Sequence, residues 1–580
     1  MPHDTPGYAS AHPVLTVEEA RQFEGVLFGG DEAREWAAMQ RAGRAIAEAV
    51  VRDFREIGEF PGDARVLVLA GKGHNGGDAF IAAKRILEKF PRARVSVCFV
   101  FGERTTRPLA KRAWREISGQ AQAVAHGIEG IEEIEGIERI EGIEGIEGIG
   151  GIEGIGGEFD LCLEGIFGFQ FRPPVDERVS ALIARVNAMP IRFRAAVDMP
   201  GGGMFRADFT YATGIVKTPV LENAASGRVR YLDLGFFGSG GMGGMLAGLE
   251  TGMHRTEGQV DHSVHMGGTP VPTKPPAPPV LLDPHGRDAH ATQAAHATQS
   301  APRTPAILTP AVLAPLRALR SPHTDKRDYG HLFVIGGSRT YPGAVLLSVF
   351  AALRGGAGLV TAFVPESLVP AYAARAPEAI WRGMAESPGG GLALEDFAVL
   401  RECLSATRGS TGRASALLIG PGMSRDREAL ALAAEVLRAV GDAPVVLDAD
   451  ALQPEIVSAG RAPRILTPHA GEYQRIAAAV PPGAVVVRKG PLTRIGRNAD
   501  IYVSPFGGPV LARGGSGDVL AGMIGGLLAQ APDEPLLSAC RGTVWHGMAA
   551  DCLARARGQQ AVRVTQVLDY LPEALRGEDA

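Results

Sequence analysis

The sequence predicts an α/β protein in which helices cover both faces of largely parallel sheets. Three observations carry this reading. Short runs rich in Val, Leu and Ile alternate with helical patterns along most of the chain. Those runs end in Gly, Asp, Asn or Pro. The polar groups suited to chemistry gather at the same ends, where open α/β sheets bind ligands. At 580 residues the chain is long enough for two cores. Two three-layer domains are expected, at 12–238 and 305–575, joined by a linker at 239–304.

Composition narrows the function. Apolar content of 45% and charged content of 21% suit a globular protein, and a net charge of −5 gives no reason to expect nucleic acid or an anionic membrane. Five scattered cysteines without CxxC spacing argue for a reducing cytoplasm rather than a disulfide or zinc framework. The N-terminus shows no signal peptide. The most apolar stretch, 345–364, is broken by Arg354 and several glycines, so it reads as helix, turn and strand rather than a membrane span. Small molecules are the expected partners.

In the first half, residues 1–13 read as a frayed start. A helical pattern runs from Leu15 to Val51, opened by a Thr16–Glu19 capping box. The strand Arg65–Ala70 then enters Gly71-Lys72-Gly73-His74-Asn75-Gly76-Gly77-Asp78 and a helix through Phe90. Strand, glycine loop and helix form the phosphate-binding half of a βαβ unit, although GxGxxG spacing and a P-loop Lys-Ser/Thr are both missing. A strand from Val95 to Phe101 precedes a low-complexity tract at 127–157, with Ile at every third position from Ile128 to Ile155. That period fits neither helix nor strand, so it reads as a disordered insertion. The fold resumes at Phe159. A helix at 175–189 and a strand at 193–197 lead to Asp198-Met199-Pro200-Gly201-Gly202. Asn75, Glu164 and Asp198 fall at strand ends, where three oxygen donors suit a hard cation or a polar substrate; each taken singly also suits a cap or loop.

The motifs LTVEEA, MQRAG, GKGHNGGDAF, EGIFGF, VDMPGG and ADFTYAT, in this order, resemble the NAD(P)HX epimerase (YjeF N-terminal) family over about residues 12–238 without the insertion. The resemblance implies a Rossmann-like fold and interconversion of the R and S hydrates of damaged NADH and NADPH. It implies that His74, Asn75, Gly76, Gly77 and Asp78 contact the hydrate and that Gly168 onward lines the nucleotide. Asp198 would be acid/base or substrate contact, and K+ would sit at Asn75, Glu164 and Gly201. Three positions depart from the family pattern, which has Asn, Asp and Ser where this chain has His74, Glu164 and Gly201. The longer acid moves the carboxylate, and Gly201 removes a hydroxyl ligand.

Residues 239–304 are rich in Pro, Gly, Ala and His and read as a linker. Beyond them, Gly330–Ser338 is a strand entering a glycine turn, followed by a helix at 342–354 and a strand at 359–364. Further strands end in Gly420-Pro421-Gly422, Asp448-Ala449-Asp450, Thr467-Pro468-His469 and Lys489-Gly490, with helices between them. His469 is either a satisfied structural histidine or a ligand contact. Lys489 is either a surface lysine or a point charge for a phosphate. The stretch Ala512–Gly522 places glycines ahead of an apolar helical run, which suits phosphate binding by backbone N–H groups and the helix N-terminus. Asp518, in the first turn, reads as a helix cap or as a base for an attacking hydroxyl.

The motifs HLFVIGGS with YPGA, GPG, VLDADAL, ILTPHAGE, VVRKGPLT, ARGGSGDVLAG and WHGMAAD resemble the ADP-dependent NAD(P)H-hydrate dehydratase family, of ribokinase-like α/β/α fold, over about residues 305–575. The resemblance implies that Ala344, Gly422, His469 and Asp518 contact the hydrate. Lys489, Gly490, Pro491, Leu492, Thr493 and Gly517 would hold the adenine nucleotide. ADP, with Mg2+, would phosphorylate the hydroxyl of the hydrated ring, and phosphate would then leave by elimination. Asp518 and Asp198 are the expected catalytic residues. The leading expectation is a cytoplasmic homo-oligomer with both activities. The alternatives are an active dehydratase with a non-catalytic N-terminal module, and a ribokinase-like small-molecule kinase.

Overall fold

The structure is a computed structural model that describes residues 4–7, 10–126, 158–168, 174–237, 304–405 and 414–577. The Ile-Glu-Gly tract at 127–157, the linker up to residue 303 and the residues just after Gly168 lie outside the described residues.

The first half is built on a seven-stranded sheet. Its strands, in chain order after β1 (Ala11–Leu15), are β2 (Arg65–Ala70), β3 (Arg94–Phe99), β4 (Ala121–His126), β5 (Phe159–Gly165), β6 (Ile191–Val197), β7 (Phe209–Thr213) and β9 (Arg228–Leu232), with β8 (Val216–Lys217) outside it. The order is β4-β3-β2-β5-β6-β7-β9, and every neighbouring pair is parallel. Helices on both faces explain why β2 is a continuous apolar run, buried from Val66 to Ala70. The chain leaves β2 toward β3 and β4, then returns to its other side with β5. That reversal opens a crevice at the carboxyl ends of β2 and β5.

The second half begins with β10 (Ala306–Leu308), β11 (His331–Ile335), β12 (Leu359–Pro365), β13 (Ile380–Met384), β14 (Ala416–Ile419), β15 (Val445–Leu447), β16 (Arg464–Leu466) and β17 (Val485–Arg488). It continues through β18 (Thr493–Arg497) and β19 (Asp500–Ser504). The order β13-β12-β11-β14-β15-β16-β17 is parallel and reverses between β11 and β14. β17, β18 and β19 then form an antiparallel meander, of which the sequence reading included only β17. β18, Thr-Arg-Ile-Gly-Arg, has a single buried apolar residue, a much weaker signal than the buried runs.

The start of the chain corrects the expectation of a frayed segment. β1 pairs antiparallel with β10 and parallel with β8, so it carries the sheet of the second half across to Val216–Lys217. Buried Asp4 accepts hydrogen bonds from Leu536 N (3.2 Å) and Leu537 N (2.9 Å) at the start of the helix Pro535–Arg557, and it pairs with Arg497. The helix's own N-cap residue, Glu534, makes no side-chain cap. Orphan N–H groups at a buried helix start need an acceptor, and here it comes from a residue more than 500 positions away. Asp4→Ala is expected to lower unfolding free energy by about 1–2 kcal/mol, read as a lower urea midpoint at unchanged slope. An unchanged midpoint would mean that the cap is idle.

The helical pattern from Leu15 to Val51 resolves into two helices, Val17–Phe28 and Glu32–Phe54, preceded by β1. Gly29, at φ 60°, ends the first, and Asp31 caps the second by accepting from Ala33 N and Arg34 N. A buried ion network joins the two halves. Arg230 on β9 meets Asp53 at 3.1 Å and Asp551 of the helix Pro535–Arg557 at 2.7 Å, while Arg228 bridges Glu56 and Asp551. Burial pushes the Asp53 carboxyl up, but Arg230, Arg555 and Arg52 outweigh it and hold it below the usual range. Charges this deep persist only when paired.

Candidate active site

A pocket lies at the carboxyl ends of β2, β6 and β7, and Glu24, His74, Asn75, Asp78, Asp198 and Lys217 are among the residues lining it. The helix His74–Lys89 follows the glycine turn directly, so Asn75, Gly76, Gly77 and Asp78 are buried in its first turn. The Asn75 amide donates to Phe167 O (2.9 Å) and Val197 O (3.0 Å), spanning the loops after β5 and β6. Gly168 lies against the Asn75 carboxamide oxygen. His74 is half-exposed, 3.6 Å from Glu35, and burial pulls its imidazole below the usual range.

Asp198 ends β6 at φ 66°, a conformation that non-glycine residues adopt only under constraint. Both of its oxygens accept from the Lys217 ammonium, at 2.8 and 2.7 Å, and both residues are buried. Burial works against the Lys217 charge, but Asp198 and then Glu24 hold it above its usual range. Burial lifts Asp78 well above the carboxylate range, with Asp198 and Glu24 adding to it. Glu24 is pushed up to about 7, chiefly by burial, with Lys217 opposing. Three carboxyls around one buried ammonium make a site in which protons can be held and exchanged. Sequence reasoning missed Lys217 and Glu24. The available signal was a lysine closing the apolar run Gly214-Ile215-Val216.

Glu164 is fully buried. Its Oε1 accepts from Ile166 N (2.7 Å) and its Oε2 from Gly201 N (2.8 Å). Burial pushes its carboxyl up to about 8, against the pull of the two amides. The donor set is poorer for potassium than an aspartate facing a serine: each acid oxygen already accepts one amide N–H, position 201 offers no hydroxyl, and the Asn75 NH2 donates to the two loop carbonyls.

The second site lies at the carboxyl ends of β15, β16 and β17. Lys489 Nζ sits 2.9 Å from Asp448 Oδ1, and the Thr467 hydroxyl donates to the same oxygen at 2.7 Å. The helix Ser516–Gln530 begins beside them, with Gly517 against Lys489 Nζ. Its N-cap is Gly515, so Asp518 is not the residue capping it. Burial, then Asp448, raises the Asp518 carboxyl to about 7, with Lys489 opposing. Burial disfavours the Lys489 charge, but Asp448 outweighs it and keeps the ammonium above its usual range.

Ser348 donates to Asp518 O (2.9 Å) from the helix Pro342–Arg354, and Ala344 lies one turn earlier on the same face. Gly422, at φ +62°, packs against Ala344, and a Cβ there would stand 2.4 Å from Tyr341 O. His469 is exposed. Its Nδ1 accepts from Gly471 N and Glu472 N, capping the helix Ala470–Ile476, and Glu472 returns the bond to His469 N. Gly490, Pro491 and Leu492 form the turn between β17 and β18, with Thr493 opening β18. The structure therefore brings Lys489, Gly517 and Asp518 together, and adds Asp448 and Thr467, which the sequence reading left without a role.

Comparison with known proteins gives concordant matches. The family described as NAD(P)H-hydrate dehydratase matches residues 332–573, and that described as YjeF-related protein N-terminus matches residues 36–217. The bifunctional NAD(P)H-hydrate repair enzyme Nnr of Thermosynechococcus vestitus is 30% identical over 596 residues, covering 97% of each chain. The ADP-dependent (S)-NAD(P)H-hydrate dehydratase of Xanthomonas campestris pv. campestris is 34% identical over 45% of this chain and 94% of its own. A crystal structure of the ADP/ATP-dependent NAD(P)H-hydrate dehydratase from Bacillus subtilis, co-crystallised with ATP/Mg2+, is 27% identical over 46% of this chain and 97% of that one, with a TM-score of 0.39.

Proposed function

Because the chain belongs to the family of bifunctional NAD(P)H-hydrate repair enzymes, we propose that its two strand-end sites divide the repair between them. The C-terminal half dehydrates the S hydrate of NADH or NADPH at the expense of ADP, and the N-terminal half interconverts the R and S hydrates. The observation that carries the assignment of chemistry is Asp518, raised to about 7 in the first turn of a glycine-led helix, with Lys489 beside Gly517.

In the C-terminal site the ring hydroxyl attacks the terminal phosphoryl group of ADP, the phosphoanhydride bond breaks with AMP leaving, and Asp518 accepts the hydroxyl proton. The amides of 514–517 and the Lys489 ammonium, held in place by Asp448, meet the charge that develops on the phosphoryl oxygens. Phosphate then departs with the electron pair of the carbon–oxygen bond. Loss of a proton from the neighbouring ring carbon restores the double bond. Magnesium accompanies the nucleotide and neutralises phosphate charge when bound; Asp448 and Asp450 are hard oxygen donors beside Asp518. Ala344, Gly422 and His469 border the hydrate, while Lys489, Gly490, Pro491, Leu492, Thr493 and Gly517 hold the nucleotide.

In the N-terminal site, the carbon–oxygen bond of the hydroxyl-bearing carbon breaks with its electron pair on the departing, protonated oxygen, while the ring nitrogen's lone pair stabilises the carbon. Water then adds to the opposite face and gives up a proton. Asp198 and Lys217 exchange the protons this needs, and His74, Asn75, Gly76, Gly77, Asp78 and Gly168 surround the substrate. We further propose a reducing, cytoplasmic setting, supported by five free cysteines. Self-association is tested by light scattering.

The deciding experiment follows recovery of reduced-nicotinamide absorbance from mixed R and S NADH hydrates with ADP and Mg2+. Complete recovery, faster than spontaneous epimerisation, is expected. A halt at the S fraction would leave the N-terminal half a scaffold. A stable phosphorylated product without recovery would make the chain a kinase.

A further inference from the structure

The acid at 164 and the missing side chain at 201 are far apart in the sequence, but in the structure they are one contact. A Cβ on residue 201 would stand 2.9 Å from Glu164 Oε1 and 3.2 Å from Cδ. The first is closer than real Cβ contacts come and the second is tight, and the head group is already held by two hydrogen bonds, so glutamate keeps this pose because residue 201 is glycine. In turn, the length of glutamate brings one oxygen to Gly201 N at 2.8 Å while the other keeps Ile166 N at 2.7 Å. The carboxyl thereby ties the loop after β5 to the loop after β6. Asn75 ties the same loops a second time, through Phe167 O and Val197 O. The second loop carries Asp198, whose constrained backbone must be held from outside. A shorter acid facing a hydroxyl would leave a gap for a cation to bridge. Here the acid bridges the loops itself.

We propose that Glu164 and Gly201 form a cation-free clamp, so that the N-terminal site of this chain keeps its shape and works without a bound monovalent cation. Glu164 is a positioning residue in this scheme: it touches the two loops and acts through Asp198. The kinetic arm of the test rests on the epimerase reading, while the binding and melting arms do not.

The full-length protein would be compared in potassium chloride and choline chloride at matched ionic strength, so that general screening cancels. The expected result is an R-hydrate epimerisation rate within about twofold between the salts and no potassium-specific shift of the melting midpoint. Thallium(I), a heavy stand-in for potassium, should leave no site between Asn75 and Glu164 in soaked crystals. A potassium-specific rise in rate or midpoint, or thallium bound there, would overturn the clamp.

The double variant Glu164→Asp with Gly201→Ser reopens the gap. It is expected to epimerise at least about tenfold faster in potassium than in choline. Gly201→Ser alone is expected to be slow in both salts, because its added side chain meets the glutamate head. A folded double variant that stays indifferent to potassium would also overturn the proposal. Absence of epimerisation by the unmodified chain in either salt would instead sink the epimerase reading, and the thallium and melting arms would still decide the clamp.

Discussion

Asp518→Asn is expected to lower kcat/KM for ADP-dependent dehydration by about 10²- to 10⁴-fold, the usual worth of a positioned general base. Asparagine keeps the shape and the helix but cannot accept the hydroxyl proton. Epimerisation of the R hydrate, at the other site, should change little. In the unmodified chain the same group predicts the pH profile. A base works unprotonated, so kcat/KM, which reports the free enzyme, should rise with pH, bend near about 7 and level off above it. Stability runs the other way. The carboxyl sits near 3.8 when unfolded and about 7 when folded, so the folded state holds an extra proton between those values and loses stability as pH rises through that window. Asp518→Asn should therefore melt higher than the unmodified chain above neutral pH, with the difference closing toward acid. A dehydration rate within about fivefold of the original would remove Asp518 from the proton transfer.

Asp198→Asn should reduce epimerisation by about 10²- to 10⁴-fold while leaving ADP-dependent dehydration of pure S hydrate nearly intact. The argument rests on burial and partnership. Asp198 is held in a constrained backbone conformation and takes both short bonds from a lysine that is itself 2% exposed. Lys217→Met tests the same pair from the other side. It leaves Asp198, Asp78 and Glu24 facing one another without their ammonium, so about 3–5 kcal/mol of stability should be lost, as for other broken buried pairs. Stopped assays on mixed hydrates separate the two steps, because only the R fraction depends on this site. Equal loss of both activities in Asp198→Asn would show a general folding defect and count against an acid/base role.

Much of this was legible in the sequence because it depends on local patterns. Buried parallel strands must be continuous apolar runs, so β2, β11 and β15 were readable as strands ending in polar residues. Asn75, Glu164 and Asp198 stood out because acids and amides at successive strand ends face one crevice. The glycines before Ser516 marked a helix start open to phosphate, and Asp518 followed from its place in that first turn.

What the sequence by itself determined was the α/β class, the family and the polar residues that follow most parallel strands, because these follow from side-chain period, turn chemistry and motif order. Only the tertiary structure decided which distant groups meet. Asp4 caps a helix that starts at Pro535, and β1 joins the sheet of the other half. Lys217 became a partner of Asp198 and Asp448 the holder of Lys489. Gly201 and Glu164 proved to be one contact rather than two departures. Each of these depends on burial, which leaves a charged or polar group no water and makes its nearest partner decisive; no local pattern in the chain records that neighbour.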